Sequence, residues 1–350
     1  MTTDSIRAAF QFGGHSVPAG TSAKIAIPVS DLSAGMQAQL EARVFHGANN
    51  GPVIFVSAAI HGDEIIGTEI IRRVMNKLDP AKMAGTVIFV PVVNMFGFIA
   101  QSRYLPDRRD LNRSFPGSGR GSLASQLANI FYTEVVMKCS LGIDIHSAAA
   151  GRYNLPQIRI AAGNPELKKL ALEFGAPAVI EAPLRDGSLR EVAQGDGVAM
   201  LLLEAGEGLR FDPLSVLTGV IGILRVLRSI GILGTRRLGK KAAPSAQVTD
   251  TRWLRASRGG VCRLQQLSGN AVTAGQTLAI ISGIFGEDEE HVKAPHDGII
   301  IGHATIPVVN QGDAIIHLAQ VRAFDDAEVH IEAISEAVLN NPMLDEDEVI

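Results

Sequence analysis

The stretch "PVIFVSAAIHGDEIIGTEIIRRV", residues 52–74, changes its period midway. Up to Ile60 nearly every position is apolar, as in a strand buried on both faces of a central sheet. From Glu64 the apolar residues recur three and four apart, which is the face of an amphipathic helix. A strand feeding a helix is the unit of an α/β domain. His61 and Glu64 stand at the junction, and the pattern predicts a helix over 64–78 with this pair on its first turn.

The same alternation continues on both sides. "KIAIPV" (24–29), "QLEARVFHG" (39–47), "TVIFVPVVN" (86–94), "LGIDIHS" (141–147), "IRIAAG" (158–163) and "VAMLLLEAG" (198–206) read as strands. Helices are expected over 122–138 and 164–174, covering both sides of the sheet. "PLSVLTGVIGILRVLRSIGIL" (213–233) is the most apolar segment, but Arg225 and Arg228 interrupt it. It falls short of the ~18 apolar residues of a membrane span and reads as a core helix.

A basic, Pro-containing stretch, "GTRRLGKKAAPSAQ" (234–247), reads as a linker, and from Thr251 short strands separated by Gly-containing turns replace the helices. The expected division is an α/β unit over 1–240, an all-β unit over 241–322, and an acidic, partly helical tail over 323–350. With 350 residues the chain is long enough for two units. A formal net charge of -4 argues against a nucleic-acid partner and leaves a small molecule or another protein. Cys139 and Cys262 are too few and too far apart for a disulfide framework. The N-terminal residues lack a basic region followed by an apolar one. Together these features predict a soluble, cytoplasmic protein, with a homo-oligomer left open.

Four segments carry chemistry. His61 and Glu64 at i and i+3 can face one metal ion, although such a pair also serves helix capping or surface polarity. Ligands at the carboxyl end of a central strand lie where open α/β sheets place their sites. A catalytic zinc needs a third protein ligand and an open position. His146, at the end of "LGIDIHS", is a candidate for it, with Asp144 projecting to the same face, although a lone histidine there also serves as a satisfied core residue. In "VAMLLLEAGEG", Glu204 leaves an apolar strand and is a candidate base with a raised pKa, and Glu207 is its rival. "QSRYLPDRRDLNRSFPG" (101–117) offers Arg103, Arg109, Asn112 and Arg113 to an anionic substrate. Asp110, an acceptor only, is placed to take the second ring N–H of a ligand histidine.

In this order, "HGDE", "DLNR", "DIHS" and "EAG" resemble the succinylglutamate desuccinylase/aspartoacylase family, relatives of the zinc carboxypeptidases, over about residues 50 to 210. The resemblance implies a carboxypeptidase-like mixed central sheet flanked by helices. It implies a single zinc per chain on His61, Glu64 and His146, with Glu204 as general base acting on the metal's water. Arg103 would polarise the scissile carbonyl, while Asn112, Arg113 and Arg190 would bind the substrate. The expected reaction is hydrolysis of the amide of a small N-acyl amino acid. Alternatives are a carboxypeptidase-like peptidase or amidase, and a non-catalytic metal- or ligand-binding relative.

The C-terminal region is similar to the family's β-barrel, which is shaped like lipoyl and biotinyl domains. Lys293 in "HVKAP" lacks the neighbours of an attachment lysine. A tyrosine of this region completes the pocket in aspartoacylases, but the tyrosines here are Tyr104, Tyr132 and Tyr153, all upstream. That difference favours a broader deacylase over strict aspartoacylase specificity.

Overall fold

A computed structural model of the protein describes residues 7–31, 35, 37–234, 245–321 and 336. The first described elements are a hairpin of β1 (Phe10–Phe12) and β2 (His15–Val17), then two long antiparallel strands, β3 (Thr21–Asp31) and β4 (Gln37–His46). Next come β5 (Asn49–Ala58), α1 (Ile66–Met75), β6 (Ala84–Val90), α2 (Met95–Ala100) and α3 (Leu123–Glu134). They are followed by β7 (Leu141–Ala148), β8 (Arg152–Ile160), α4 (Pro165–Phe174), β9 (Ala178–Glu181), α5 (Leu189–Gly195), β10 (Ala199–Glu207) and α6 (Pro213–Ser229). The remaining described strands are β11 (Ala246–Arg255), β12 (Gly260–Leu264), β13 (Ala271–Val272), β14 (Thr277–Ser282), β15 (Glu290–Lys293), β16 (Gly298–Ala304), β17 (Val308–Val309) and β18 (Ala314–Val321).

Twelve strands form one mixed sheet in the order β13-β16-β18-β11-β9-β8-β10-β7-β5-β6-β4-β3. Its centre is parallel, with β7 between β5 and β10. β11 joins it by pairing parallel with β9, and β16 pairs with β8. A separate four-stranded antiparallel sheet, β15-β14-β12-β17, packs its apolar side chains with those of β16 and β18.

Strand alternation divides the central strands between two cores. Ile54, Val56 and Ala58 of β5, Ile143 and Ile145 of β7, and Leu201 and Leu203 of β10 face α1, α4 and α6. Phe55 of β5 and Met200 of β10 face α3, α5 and the β1–β2 hairpin. Ser57, Asp144, His146, Leu202 and Glu204 have the parity of this second face. Asp144, His146, Leu202 and Glu204, near the strands' carboxyl ends, line a cavity on this face.

Two expectations need correction. The helix predicted over 64–78 begins at Ile66. His61 to Glu64 instead form a turn closed by the Glu64 amide donating to the His61 carbonyl at 3.1 Å. Gly62 explains it: a Cβ there would lie 1.9 Å from the backbone of Gly97 in α2, so the turn is pressed against that helix. The strand read over 86–94 stops at Val90, because Asn94 caps α2 by accepting from the Gly97 amide at 2.9 Å. The linker at 235–244 and the expected tail helix, apart from Glu336, lie outside the described residues. Among the described residues no helix is long and apolar enough to cross a membrane.

Candidate active site

His61, Glu64 and His146 come together, each buried, with one ligand-capable atom from each lying within 4.8 Å of the others. Both histidines turn Nδ1 to Glu64, His61 at 2.7 Å from Oε1 and His146 at 2.7 Å from Oε2. Each Nε2 is held by a separate carboxylate: Asp110 Oδ1 lies 3.1 Å from that of His61, and Asp144 Oδ2 lies 2.7 Å from that of His146. Asp144 in turn accepts from the Ser57 hydroxyl at 2.7 Å. Two imidazoles whose outer nitrogens are fixed by carboxylates, with one further carboxylate between them, form a donor set that suits a single divalent ion.

Electrostatics agree with that assignment. Burial disfavours the His146 imidazolium, but the charges of Asp144 and Glu64 and their hydrogen bonds outweigh it and raise its pKa well above the ordinary value. His61 is raised in the same way against its own burial, by Glu64 and Asp110. Burial alone would raise Glu64, yet the two histidines hold it below the usual carboxylate range. Asp110 is likewise depressed, by His61 and Arg103 against its burial. The site therefore concentrates negative charge around two imidazoles, the field that attracts a cation.

Glu204 reaches this centre through strand register. It lies opposite His146 on β7, so the two side chains project to the same face of the sheet. Asn154 Nδ2 donates to Glu204 Oε2 at 2.9 Å. The rival Glu207 is committed elsewhere: one oxygen accepts from the Gly151 amide at 2.8 Å and from the Thr305 hydroxyl at 3.0 Å. It does not line the cavity, whereas Glu204 does.

The substrate candidates separate in the same way. Arg103 donates to Glu64 Oε1 and to Asp110 Oδ2, both at 3.1 Å, and so borders the His61, Glu64 and His146 cluster. Asn112 is buried, and its Oδ1 accepts from the Leu189 amide at 2.9 Å, which ties the "DLNR" segment to α5. Arg113 and Arg190 line the same cavity. Arg190 donates to the Pro183 carbonyl at 2.7 Å; burial, with the charges of Arg159 and Arg185 beside it, lowers its pKa to about 10. Arg109 is exposed, 3.8 Å from Asp107, and takes no part in the cavity.

The cavity, about 280 Å³, is also lined by residues that the sequence reading leaves out: Arg152, Asn154, Arg159, Arg185 and Trp253. Arg159 had a readable signal, a lone arginine between isoleucines in "IRIAA" that must lie on the opposite strand face from both. Trp253 had none, because its approach depends on β11 pairing with β9. It supplies an aromatic side chain from the C-terminal strands, where the sequence reading looks for a tyrosine and finds none.

Residues 50–230 match the model of the succinylglutamate desuccinylase/aspartoacylase catalytic domain. The chain belongs to that family, and it is a hydrolase of the deacylase class. Over 286 residues it is 28% identical to the N-alpha-acetyl-L-2,4-diaminobutyric acid deacetylase of Halomonas elongata, a match covering 77% of this chain and 83% of the relative. A crystal structure of a succinylglutamate desuccinylase/aspartoacylase from Rhodobacter sphaeroides superposes with a TM-score of 0.75 at 24% identity, covering 86% of this chain and 94% of that one. The product-bound ectoine utilization protein EutE (DoeB) from Ruegeria pomeroyi gives a TM-score of 0.75 at 22% identity, covering 87% and 97%.

Proposed function

We propose that this chain is a zinc-dependent hydrolase that cleaves the amide bond of a small N-acyl amino acid, holding one zinc through His61, Glu64 and His146. The observation that carries this reading is the register of Glu204 opposite His146, which puts a carboxylate with access to the cavity beside the buried ligand set. Zinc bound there would polarise the scissile carbonyl and lower the pKa of a water.

Glu204 takes the proton of the attacking water and passes it to the leaving nitrogen. The Asn154 amide on one of its oxygens fixes the plane of that carboxylate. Arg103, positively charged at the edge of the ligand set, faces the oxyanion that develops on the carbonyl. Asn112 and Arg113 take the carboxylate of the amino acid, and Arg190 binds the substrate from the α5 side. A cavity of about 280 Å³ accommodates a small molecule rather than a peptide, which weighs against the carboxypeptidase-like alternative. The Halomonas relative is named for a small N-acyl amino acid, which supports the same substrate class. Cys139 and Cys262 are buried free thiols, and this fits the cytoplasmic setting that the reading includes.

The test is a screen of N-acetyl, N-succinyl and N-formyl amino acids, scored by release of free amine, with zinc-stripped and Glu204→Gln protein as controls. Turnover should need zinc, and Glu204→Gln should lower kcat by about 10²- to 10⁴-fold with zinc content unchanged. Wild-type turnover by the Gln variant would remove Glu204 as the base.

A further inference from the structure

Among the described residues one hydrogen bond reaches the Glu204 carboxylate, from Asn154 Nδ2 to Oε2 at 2.9 Å. Its sense is fixed, because an ionised carboxylate only accepts. Oε1 has no such partner among the described residues, and both side chains line the cavity.

An irregular ladder is what brings Asn154 to this face. β8 and β10 pair Gln157 with Glu204 and Asn154 with Gly206, so Leu155 and Pro156 stand opposite Ala205 alone. An extra residue of this kind reverses the alternation of a strand. Without it the Asn154 side chain would project away from Glu204. Pro156 is tolerated there because it brings no N–H to a ladder already interrupted. Gly206, opposite Asn154, adds no side chain on the face that the amide crosses to reach Glu204.

Asn154 is also confined from its other neighbour. Its second register partner is Gly302 on β16. A Cβ at Gly302 would lie 3.1 Å from Asn154 Oδ1, and 3.3 Å from both His317 Cβ and the Tyr153 carbonyl oxygen. A strand of the C-terminal set therefore closes on the amide oxygen. With 7% of its surface exposed between two strands, Asn154 has little room to change rotamer.

We propose that Asn154 is a positioning residue for the base: it reserves Oε2 of Glu204, leaves Oε1 to take the water's proton and return it to the leaving nitrogen, and is itself set by Gly302 of β16. The proposal rests on the deacylase reading for the role of Glu204. It gives the C-terminal strands a part in turnover that is separate from walling the cavity.

The test compares zinc-loaded wild-type protein with Asn154→Ala, Asn154→Asp, Gly302→Ala and the double variant Asn154→Ala/Gly302→Ala. Kinetics use whichever N-acetyl, N-succinyl or N-formyl amino acid the wild type hydrolyses fastest. Asn154→Asp keeps the shape and loses the donor, so it should lower kcat as Asn154→Ala does, by about 10- to 100-fold, with KM changed less than about three-fold. Gly302→Ala should lower kcat in the wild-type background and add nothing once Asn154 is Ala, because the Cβ then has space. Wild-type kcat in Asn154→Asp, a loss carried by KM alone, or additive effects of the two substitutions would overturn the proposal. Crystal structures give a readout without turnover: the Glu204 carboxylate should hold one orientation in the wild type and turn in Asn154→Ala. An unchanged carboxylate in that variant would also overturn it. If the wild type hydrolyses none of these compounds, the deacylase reading fails and the crystallographic comparison alone decides the positioning.

Discussion

Asp144 has a hydroxyl on one oxygen and an imidazole on the other: Ser57 donates to Oδ1 and His146 sits on Oδ2, each at 2.7 Å. A carboxylate placed so fixes which nitrogen of His146 is free for a metal and makes that nitrogen a better donor. Asp144→Asn keeps the size and loses the charge. It should weaken zinc binding by about 10- to 100-fold, measured by competition with a chromophoric chelator. Unchanged affinity would mean that Asp144 serves packing only. Most of the centre was legible at this scale, because His61, Glu64, His146 and Glu204 stand in short ordered motifs at the ends of apolar runs. Asn154 was harder to read, since one asparagine in a strand gains meaning only when the irregular register beside it is known.

At the scale of elements, the turn from His61 to Glu64 matters more than the helix after it. Ala59 just before the turn adopts a left-handed backbone, φ 52°, a conformation that costs an alanine about 1–2 kcal/mol. Gly62 then passes against the backbone of Gly97 and Phe98. Gly62→Ala has no room, so one of the two segments must shift. A loss of about 1–3 kcal/mol in urea unfolding is expected, together with weaker zinc binding, since the turn carries two of the proposed ligands. Native stability and zinc affinity in the variant would contradict the packing described. The sequence could not place the start of α1 for this reason: Ile66, Ile70, Ile71 and Val74 set the helical period, but the contact that delays the helix comes from 35 residues downstream. The hairpin β1–β2, the four residues of β9 and the seven of α5 are too short to show a period at all.

At the scale of the molecule, the central sheet runs on into the C-terminal strands, and the cavity wall depends on that continuity. β11 carries Trp253 to the cavity, with the Arg152 guanidinium 5.4 Å above its ring and His317 stacked on it. Thr305 binds the turn at Gly151 through its amide and Glu207 through its hydroxyl, which anchors the loop bearing Ala149 and Arg152. Trp253→Ala should raise KM about ten-fold with a smaller change in kcat, because it removes a wall and leaves the proposed base and ligands in place. A fall in kcat at constant KM would instead assign the indole a part in the chemistry.

The central claim is that imidazoles 85 residues apart share one ion with the carboxylate between them. Anomalous diffraction at the zinc edge, from crystals of the full chain grown with zinc, reads this directly. A single strong peak in contact with His61, Glu64 and His146, on the side of the cavity that Glu204 lines, is the expected result. No peak there, or a peak coordinated by other residues while this set stays empty, would contradict it.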